Sequence, residues 1–187
     1  MVSQIKVNEI IKQSGSSISI GESGDTITLP STATLTNFPT NTPLVQAGFS
    51  SASQSISSGA DTEIVYTTIT KETPTGKFST STGRFTPGVT GFYYVSVLAR
   101  INGGNNSSEF GNLQIRLNGV ASSNGTQQGA TYRRYQDTGD HNSFEVSCIL
   151  ELTSATDYIS AFIYQNQGSS KTLEANHTNF TAYRLLT

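Results

Sequence analysis

Short runs in which apolar and polar residues alternate recur along most of the chain, and this alternation constrains the fold more than any other feature. The strongest run covers residues 91–101. Because the side chains of a strand point alternately to its two faces, this run predicts a strand with Ser96 and Arg100 on the outward face. The residues predicted to face the core are Tyr93, Val95, Val97, Ala99 and Ile101.

Further alternating runs predict the rest of an all-β fold. Leu113, Ile115 and Leu117 alternate ahead of Asn118-Gly119, a dipeptide that favours a tight hairpin turn. Similar alternation predicts strands over residues 62–70, 144–152, 158–164 and 180–186. Since no amphipathic helix is evident, the pattern indicates an antiparallel sandwich or jelly roll. Periodicity alone does not choose between sandwich topologies.

Residues 1–43 carry a different pattern. Residues 17–21 and 26–30 are two copies of one motif, offset by nine positions, in which two aliphatic residues share one face of a short strand. Two such strands cannot bury that face alone, because an isolated hairpin is marginal in water. We therefore predict a β-rich stalk whose aliphatic face is covered by partner chains. The residues predicted for that face are Ile18, Ile20, Ile27 and Leu29.

The alternative for this first segment is a disordered leader, which its low charge and many Ser and Thr residues permit. The spaced aliphatic face favours the stalk, since disordered segments usually lack one. Pro39 and Pro43, set among Thr and Asn, indicate a linker. The predicted domains are therefore residues 1–43, a stalk and attachment segment, and residues 44–187, a globular head.

Charge and cysteine content disfavour several classes of protein. The chain has 11 basic and 13 acidic residues and a formal net charge of -2, so no broad cationic surface is expected for nucleic acid or anionic lipid. The single cysteine, Cys148, allows no intrachain disulfide. Residues 1–6 lack the apolar run of a signal peptide, and no stretch is apolar enough for a membrane-spanning helix. We expect synthesis in a bacterial cytoplasm and no membrane insertion.

Three sequence motifs in the second domain occur in the same order as in a known family. Residues 82–95 combine a Gly-x-Phe-x-Pro run with a later Gly-x-Tyr-x-Val run, residues 157–159 read Asp-Tyr-Ile, and residues 180–185 read Phe-Thr-Ala-Tyr-Arg-Leu. Together they resemble the signature, the penultimate-strand step and the closing strand of the complement-one-q globular head, in the tumour-necrosis-factor-like superfamily. Thr156 stands where that step usually has glycine. The leader over residues 1–43 is not a collagen-like stalk and resembles the leaders of bacteriophage structural proteins.

The resemblance implies a jelly-roll sandwich that assembles as a homotrimer about a threefold axis. Closed cyclic symmetry removes open sheet edges and buries aromatic residues that one sandwich cannot cover. The aromatic residues expected near the axis are Phe162, Tyr164 and Tyr183. The aliphatic residues of the stalk are expected to face the same axis.

Candidate catalytic and metal-binding residues are few. His141 lies in one predicted loop with Asp and Ser neighbours, whereas catalytic triads draw their members from separate elements. His177 is a second isolated histidine, and two isolated histidines make no zinc site. Cys148 falls on the apolar side of its strand, where a thiol behaves as a small hydrophobe. Asp137 and Asp140 offer oxygens to a hard cation, but solvated loop acids are the favoured interpretation, so we predict no catalysis, metal or cofactor.

Polar loops with interspersed aromatic residues are better suited to binding. Amide groups beside an aromatic ring are typical of carbohydrate recognition, and loops on rigid sandwiches carry such sites. The candidate ligand-binding residues are Asn105, Asn106, Tyr132, Arg133, Arg134, Tyr135 and Asn166. Two alternatives remain: these are ordinary solvated loops, or the arginine pair binds a carboxylate of a neighbouring subunit.

Because the sequence offers candidate binding loops but no catalytic residues, we predict a structural and binding role for the protein. The leading hypothesis is a bacteriophage virion fibre or knob, in which residues 1–43 attach to other virion proteins and residues 44–187 adhere to a host surface glycan or protein. The alternative is a capsid decoration protein that only stabilises the particle. An enzyme such as a polysaccharide depolymerase is disfavoured, because those enzymes usually need paired carboxylates in a cleft. A cytokine-like ligand is disfavoured because no secretion signal is evident.

Overall fold

The computed structural model describes residues 42–51, 54–103, 110–120, 130–134 and 141–185, together with Gly24 and Thr26, and for 130–134 it describes the backbone alone. The chain divides into two compact units, Met1–Phe38 and Pro39–Thr187, and the strands below belong to the second. The predicted stalk residues Ile18, Ile20, Ile27 and Leu29 lie outside the described residues, so the stalk stays a prediction. In the described part of the chain, no helix has the length and apolar character needed to span a membrane.

The described elements are strands and one short 3-10 turn, Ala175–His177. In chain order the strands are β1 (Leu44–Gly48), β2 (Ser55–Ile56), β3 (Thr62–Glu63), β4 (Thr68–Thr73), β5 (Phe78–Ser79), β6 (Arg84–Phe85), β7 (Gly91–Asn102), β8 (Phe110–Leu117), β9 (Ala130–Arg134), β10 (Asn142–Leu152), β11 (Ile159–Gln165), β12 (Lys171–Leu173) and β13 (Asn179–Arg184).

The strands form two antiparallel sheets. Sheet A has seven strands: β7 pairs with β10 on one side and with β13 and β12 on the other, and the order continues through β13 to β1 and β4 and through β12 to β2. Sheet B has six strands in the order β5-β6-β11-β8-β9, with β3 also pairing with β11. The described part of the second unit is therefore an all-β antiparallel jelly-roll sandwich, as the sequence predicted.

Alternation in the sequence identifies the core-facing side of the long strands. In β7 the five predicted core residues are fully buried. In β10, Phe144, Val146, Leu150 and Leu152 are buried and Cys148 is partly buried against them, which confirms that the thiol lies on the apolar side. In β8, Leu113 and Ile115 are buried and Leu117 packs partly against the core.

Two local predictions need correction. Residues 62–70 are not one strand: β3 belongs to sheet B and β4 to sheet A, and the link that crosses between them carries the fully buried Ile64 and Tyr66. Asn118-Gly119 does form a turn, with φ of 53° and 70°, but not a tight hairpin, because β9 pairs with β8 only from Ala130 onward. The Asn118 side chain instead bonds to residues 157 and 158.

The interior between the sheets contains an aromatic cluster of Phe49, Tyr66, Phe78 and Phe180. The ring of Tyr66 lies 5.7 Å from that of Phe49 and 5.7 Å from that of Phe180, centroid to centroid. Its hydroxyl group is buried and has no hydrogen-bond partner among the described residues, and burial raises the pKa of Tyr66 far above its ordinary value. Apolar packing of rings therefore outweighs the cost of that hydroxyl at this position.

Asp157 fastens the turn before β11 to its surroundings. Its Oδ1 accepts a hydrogen bond from Asn118 Nδ2 at 2.9 Å, and its Oδ2 accepts from the amides of Thr153 and Ser154 at 2.9 and 2.8 Å. These bonds, that from Asn118 first, lower the pKa of Asp157 below its ordinary value of 3.8.

The lowered pKa gives a testable dependence of stability on pH. A carboxylate whose pKa is lower in the folded state stabilises the fold above its unfolded value, and this contribution is lost as pH falls through the folded value. Asp157→Asn is therefore expected to lower the free energy of unfolding by about 2 kcal/mol at neutral pH, and by progressively less as the pH falls below 3.8. Urea denaturation across pH, with the exposed Glu151→Gln as control, measures this; a pH-independent gap between wild type and variant would contradict it.

Candidate self-association and binding surfaces

A row of apolar side chains crosses the outward face of sheet A. Leu44 of β1 pairs with Tyr183 of β13, Tyr183 pairs with Tyr94 of β7, and Tyr94 pairs with Ile149 of β10. Directly paired residues share one face of a sheet, and the neighbours of these four along their strands include the buried Val45, Ala182, Val95 and Leu150. We call Leu44, Tyr183, Tyr94 and Ile149 the sheet A row.

The sheet A row leaves much apolar surface uncovered. Ile149 is 61% exposed, and Phe92, two residues before Tyr94 on the same face, is 39% exposed. The rings of Tyr94 and Tyr183 pack together with centroids 5.3 Å apart. Beside them lies a shallow cleft of about 360 Å³, lined by Leu44, Val45, Gln46, Lys71, Thr181, Ala182 and Tyr183. A contiguous apolar patch of this kind is typical of a surface that contacts another protein.

The outward face of sheet B carries aromatic rings covered by arginines. The Arg116 guanidinium lies 4.0 Å from the ring centroid of Phe162 and pairs with Asp61, while that of Arg84 lies 4.5 Å from the ring centroid of Tyr158. Arg84 also donates to both carboxylate oxygens of Glu63, at 2.8 and 3.0 Å. Each guanidinium therefore contacts both an aromatic ring and a carboxylate. These charges are largely neutralised within the sheet.

The three aromatic residues predicted for a trimer axis are divided between the two sheets. Tyr183 belongs to the sheet A row, whereas Phe162 and Tyr164 lie on β11 in sheet B. Phe162 is covered by Arg116, and Tyr164 stacks on Phe110 with ring centroids 5.4 Å apart. Within one head only Tyr183 lies in the sheet A row, and the hypothesis that all three residues line a trimer axis stays a prediction.

The four candidate ligand-binding residues that the structure describes all lie next to β8. Tyr132, Arg133 and Arg134 of β9 pair with Asn112, Gly111 and Phe110. Asn166 lies at the same end, because its Oδ1 accepts a hydrogen bond from the Phe110 amide at 2.6 Å. Their ligand binding stays a prediction, and that bond gives Asn166 a structural task as well. Asn105, Asn106 and Tyr135 lie outside the described residues.

Sequence reasoning missed the most prominent surface. The sequence patterns predicted only the core-facing residues of each strand. They therefore did not identify Tyr94, Leu44 and Ile149, which lie on the outward face. The signal was present in β7, where Phe92 and Tyr94 make the outward face apolar as well. A strand that is apolar on both faces is buried on both faces or contacts a partner.

The described residues show no arrangement suited to catalysis. His141 Nδ1 contacts Glu174 Oε1, whose other oxygen binds Arg100 Nε at 2.9 Å, so His141 lies in an ion-pair cluster instead of beside a nucleophile. Burial raises the pKa of the Cys148 thiol to about 11, which keeps it protonated and weakly nucleophilic at neutral pH. No three metal-binding side chains of the described ranges gather into a site; Asp137 and Asp140 lie outside those ranges.

The sheet order and the absence of long helices define this part of the chain as a jelly roll of the type found in tumour-necrosis-factor-like proteins. It is similar to murine APRIL at pH 5.0, with a TM-score of 0.53, 13% identity and coverage of 76% of this chain and 98% of that chain. It is also similar to Eiger TNF from S. frugiperda, with a TM-score of 0.50, 15% identity and coverage of 76% and 92%.

A further solved structure that resembles the chain is the globular domain of zebrafish complement 1qA, with a TM-score of 0.48, 15% identity and coverage of 77% of this chain and 98% of that one. No protein-family model matches the sequence, and neither does any curated protein. At identities this low the two similarities of the preceding paragraph establish the fold alone.

Proposed function

We propose that this chain is a non-enzymatic structural and binding protein of a bacteriophage virion, and that its heads assemble as a homotrimer through the sheet A row. Residues 1–43 attach the protein to other virion proteins, and the head adheres to a glycan or protein of the host surface. The protein is made in the host cytoplasm and ends on the particle.

The observation that carries this proposal is the registered apolar row across four strands of sheet A. In a solitary head these side chains face water over a wide patch, and burying them against a second copy stabilises the assembly by roughly 25 cal/mol per Å² of apolar surface. Cyclic symmetry lets each copy cover its neighbour without leaving an open end. The chain thus has a physical reason to associate with itself.

The virion assignment is supported by the leader, which resembles those of phage structural proteins, and by the lack of a catalytic cluster in the described ranges. A density map of the intact particle tests it directly. Residues 1–43 are expected to lie against other virion proteins with the head pointing outward. A particle that lacks this chain would overturn the assignment.

Self-association is tested by placing a charge in the row. Ile149→Lys and Tyr94→Lys are each expected to raise the dissociation constant of the assembly at least about a hundredfold, because each contact would enclose an unpaired ammonium group. Sedimentation equilibrium gives the masses. Val120→Lys is the matched control, since Val120 is 64% exposed and lies outside sheet A. A monomeric wild type, or variants as associated as wild type, would contradict the proposal.

A further inference from the structure

A polar cleft lies at the end of sheet A where β7 finishes, away from the sheet A row. It has a volume of about 390 Å³ and is lined by Ser51, Asn102, Thr172, Leu173, Glu174, Ala175, Asn176 and His177. This volume is within the range of small-molecule sites in proteins. No residue of the sheet A row lines it.

Backbone hydrogen bonds fix the walls of the cleft. The Glu174 amide donates to Arg100 O at 2.8 Å, and the Leu173 amide donates to Gln54 O at 2.8 Å. The Arg100 amide donates in turn to Thr178 Oγ1 at 3.2 Å. The segment that carries Glu174 is therefore tied to Arg100 of β7 at Glu174 and again at Thr178, and a ligand would meet an already ordered wall.

The charges around the cleft are balanced. Glu174 Oε2 binds Arg100 Nε at 2.9 Å, and Glu174 Oε1 contacts His141 Nδ1. Arg100 is thus paired with a carboxylate, and the described lining contains that carboxylate and neither lysine nor arginine, which favours hydrogen-bond donors over anions. The carboxylate keeps lone pairs that can accept further hydrogen bonds from a donor in the cleft.

The remaining lining is neutral and capable of hydrogen bonding in both senses. The amides of Asn102 and Asn176 both donate and accept, as do the hydroxyls of Ser51 and Thr172, whereas Ala175 supplies a small apolar surface. An uncharged ligand with many hydroxyl groups can donate hydrogen bonds to the acceptors of this lining and accept them from its donors. We infer that this cleft binds a neutral saccharide of one or two sugar units, with Glu174 accepting from its hydroxyls.

This inference rests on the proposed binding role of the head and assigns it a site and a ligand class. It differs from the loop residues singled out in the sequence, because Asn102, Glu174 and Asn176 come from β7 and from the segment after β12. It does not depend on self-association, since the sheet A row takes no part in the cleft.

The test uses the full chain and a panel of neutral hexoses, N-acetylhexosamines and their disaccharides, with glucuronic acid as the charged counterpart. Saturation-transfer NMR identifies binders, and calorimetric titration of the strongest gives its dissociation constant, which is expected to be about millimolar for so small a ligand. Glucuronic acid is expected to bind more weakly than glucose. If no neutral sugar binds, the inference is wrong.

Three variants locate the site. Glu174→Gln is expected to weaken binding about tenfold, and the surface changes Asn176→Ala and Asn102→Ala about fivefold each, because each removes a hydrogen-bonding group. Asn179→Ala is the matched control, an exposed asparagine outside the lining that is expected to leave affinity unchanged. Equal affinity in all four variants and wild type would place the sugar elsewhere and overturn the inference.

Sedimentation of the same samples separates this inference from the proposed function. The cleft variants are expected to keep the mass of the wild type, and Ile149→Lys is expected to keep its sugar affinity. If the purified full-length Glu174→Gln variant still competes with phage adsorption to the host, the adhesive role of the head stands and the cleft takes no part in it. If the wild type competes with phage adsorption and Glu174→Gln does not, the result supports both the adhesive role and the sugar site in the cleft.

Discussion

Gly83→Ala is expected to lower the free energy of unfolding by at least about 4 kcal/mol, a large fraction of the stability of a typical domain. Gly83 has a φ of +74°, and a Cβ built on it would lie 2.0 Å from the carbonyl oxygen of Ile64 and 3.0 Å from Val65 Cα. Both atoms belong to backbone, and the Ile64 amide is itself bonded to Ala161 O at 2.8 Å. The neighbouring chain therefore cannot move away without breaking its attachment to β11.

The control for this variant is Gly59→Ala. Gly59 has a similar φ of +78°, but a Cβ there would meet nothing within 4 Å. The control therefore carries only the cost of the left-handed backbone, about 1 to 2 kcal/mol. Soluble yield and urea denaturation of both variants measure the difference. Equal losses in the two variants would show that the approach of residue 83 to Ile64 is not what requires glycine.

Gly83 also shows how far the sequence could predict the fold. The motif around it was visible in the sequence, and alternation located the core faces of β7, β8 and β10. What alternation cannot supply is the partner of each strand, because pairing depends on contacts between distant segments. The close approach of Gly83 to Ile64 is such a contact between distant segments. The link from β3 to β4 through Tyr66 also depends on such contacts, and the sequence pattern predicted one continuous strand there.

The same limit applies to the candidate surfaces. The sheet A row exists only once β1, β13, β7 and β10 are placed side by side, since each strand contributes a single residue to it. Tyr183, Phe162 and Tyr164 looked equivalent in the sequence because all three are aromatic residues in the C-terminal strands. Sheet assignment separates them, and no local pattern states which sheet a strand will join.

Phe180→Ala is expected to lower the free energy of unfolding by about 4 kcal/mol, because it empties the space of a fully buried ring. The Phe180 ring lies 5.7 Å from that of Tyr66 and 5.8 Å from that of Phe78, centroid to centroid, on a strand paired on both sides. Tyr183→Ala, on the same strand but the outward face, is expected to cost about 1 kcal/mol in the monomeric Ile149→Lys background. Urea denaturation in that background excludes self-association from the comparison. Because both residues are aromatic and lie on the same strand, equal losses would mean that facing the core of the sandwich does not determine what β13 contributes to stability.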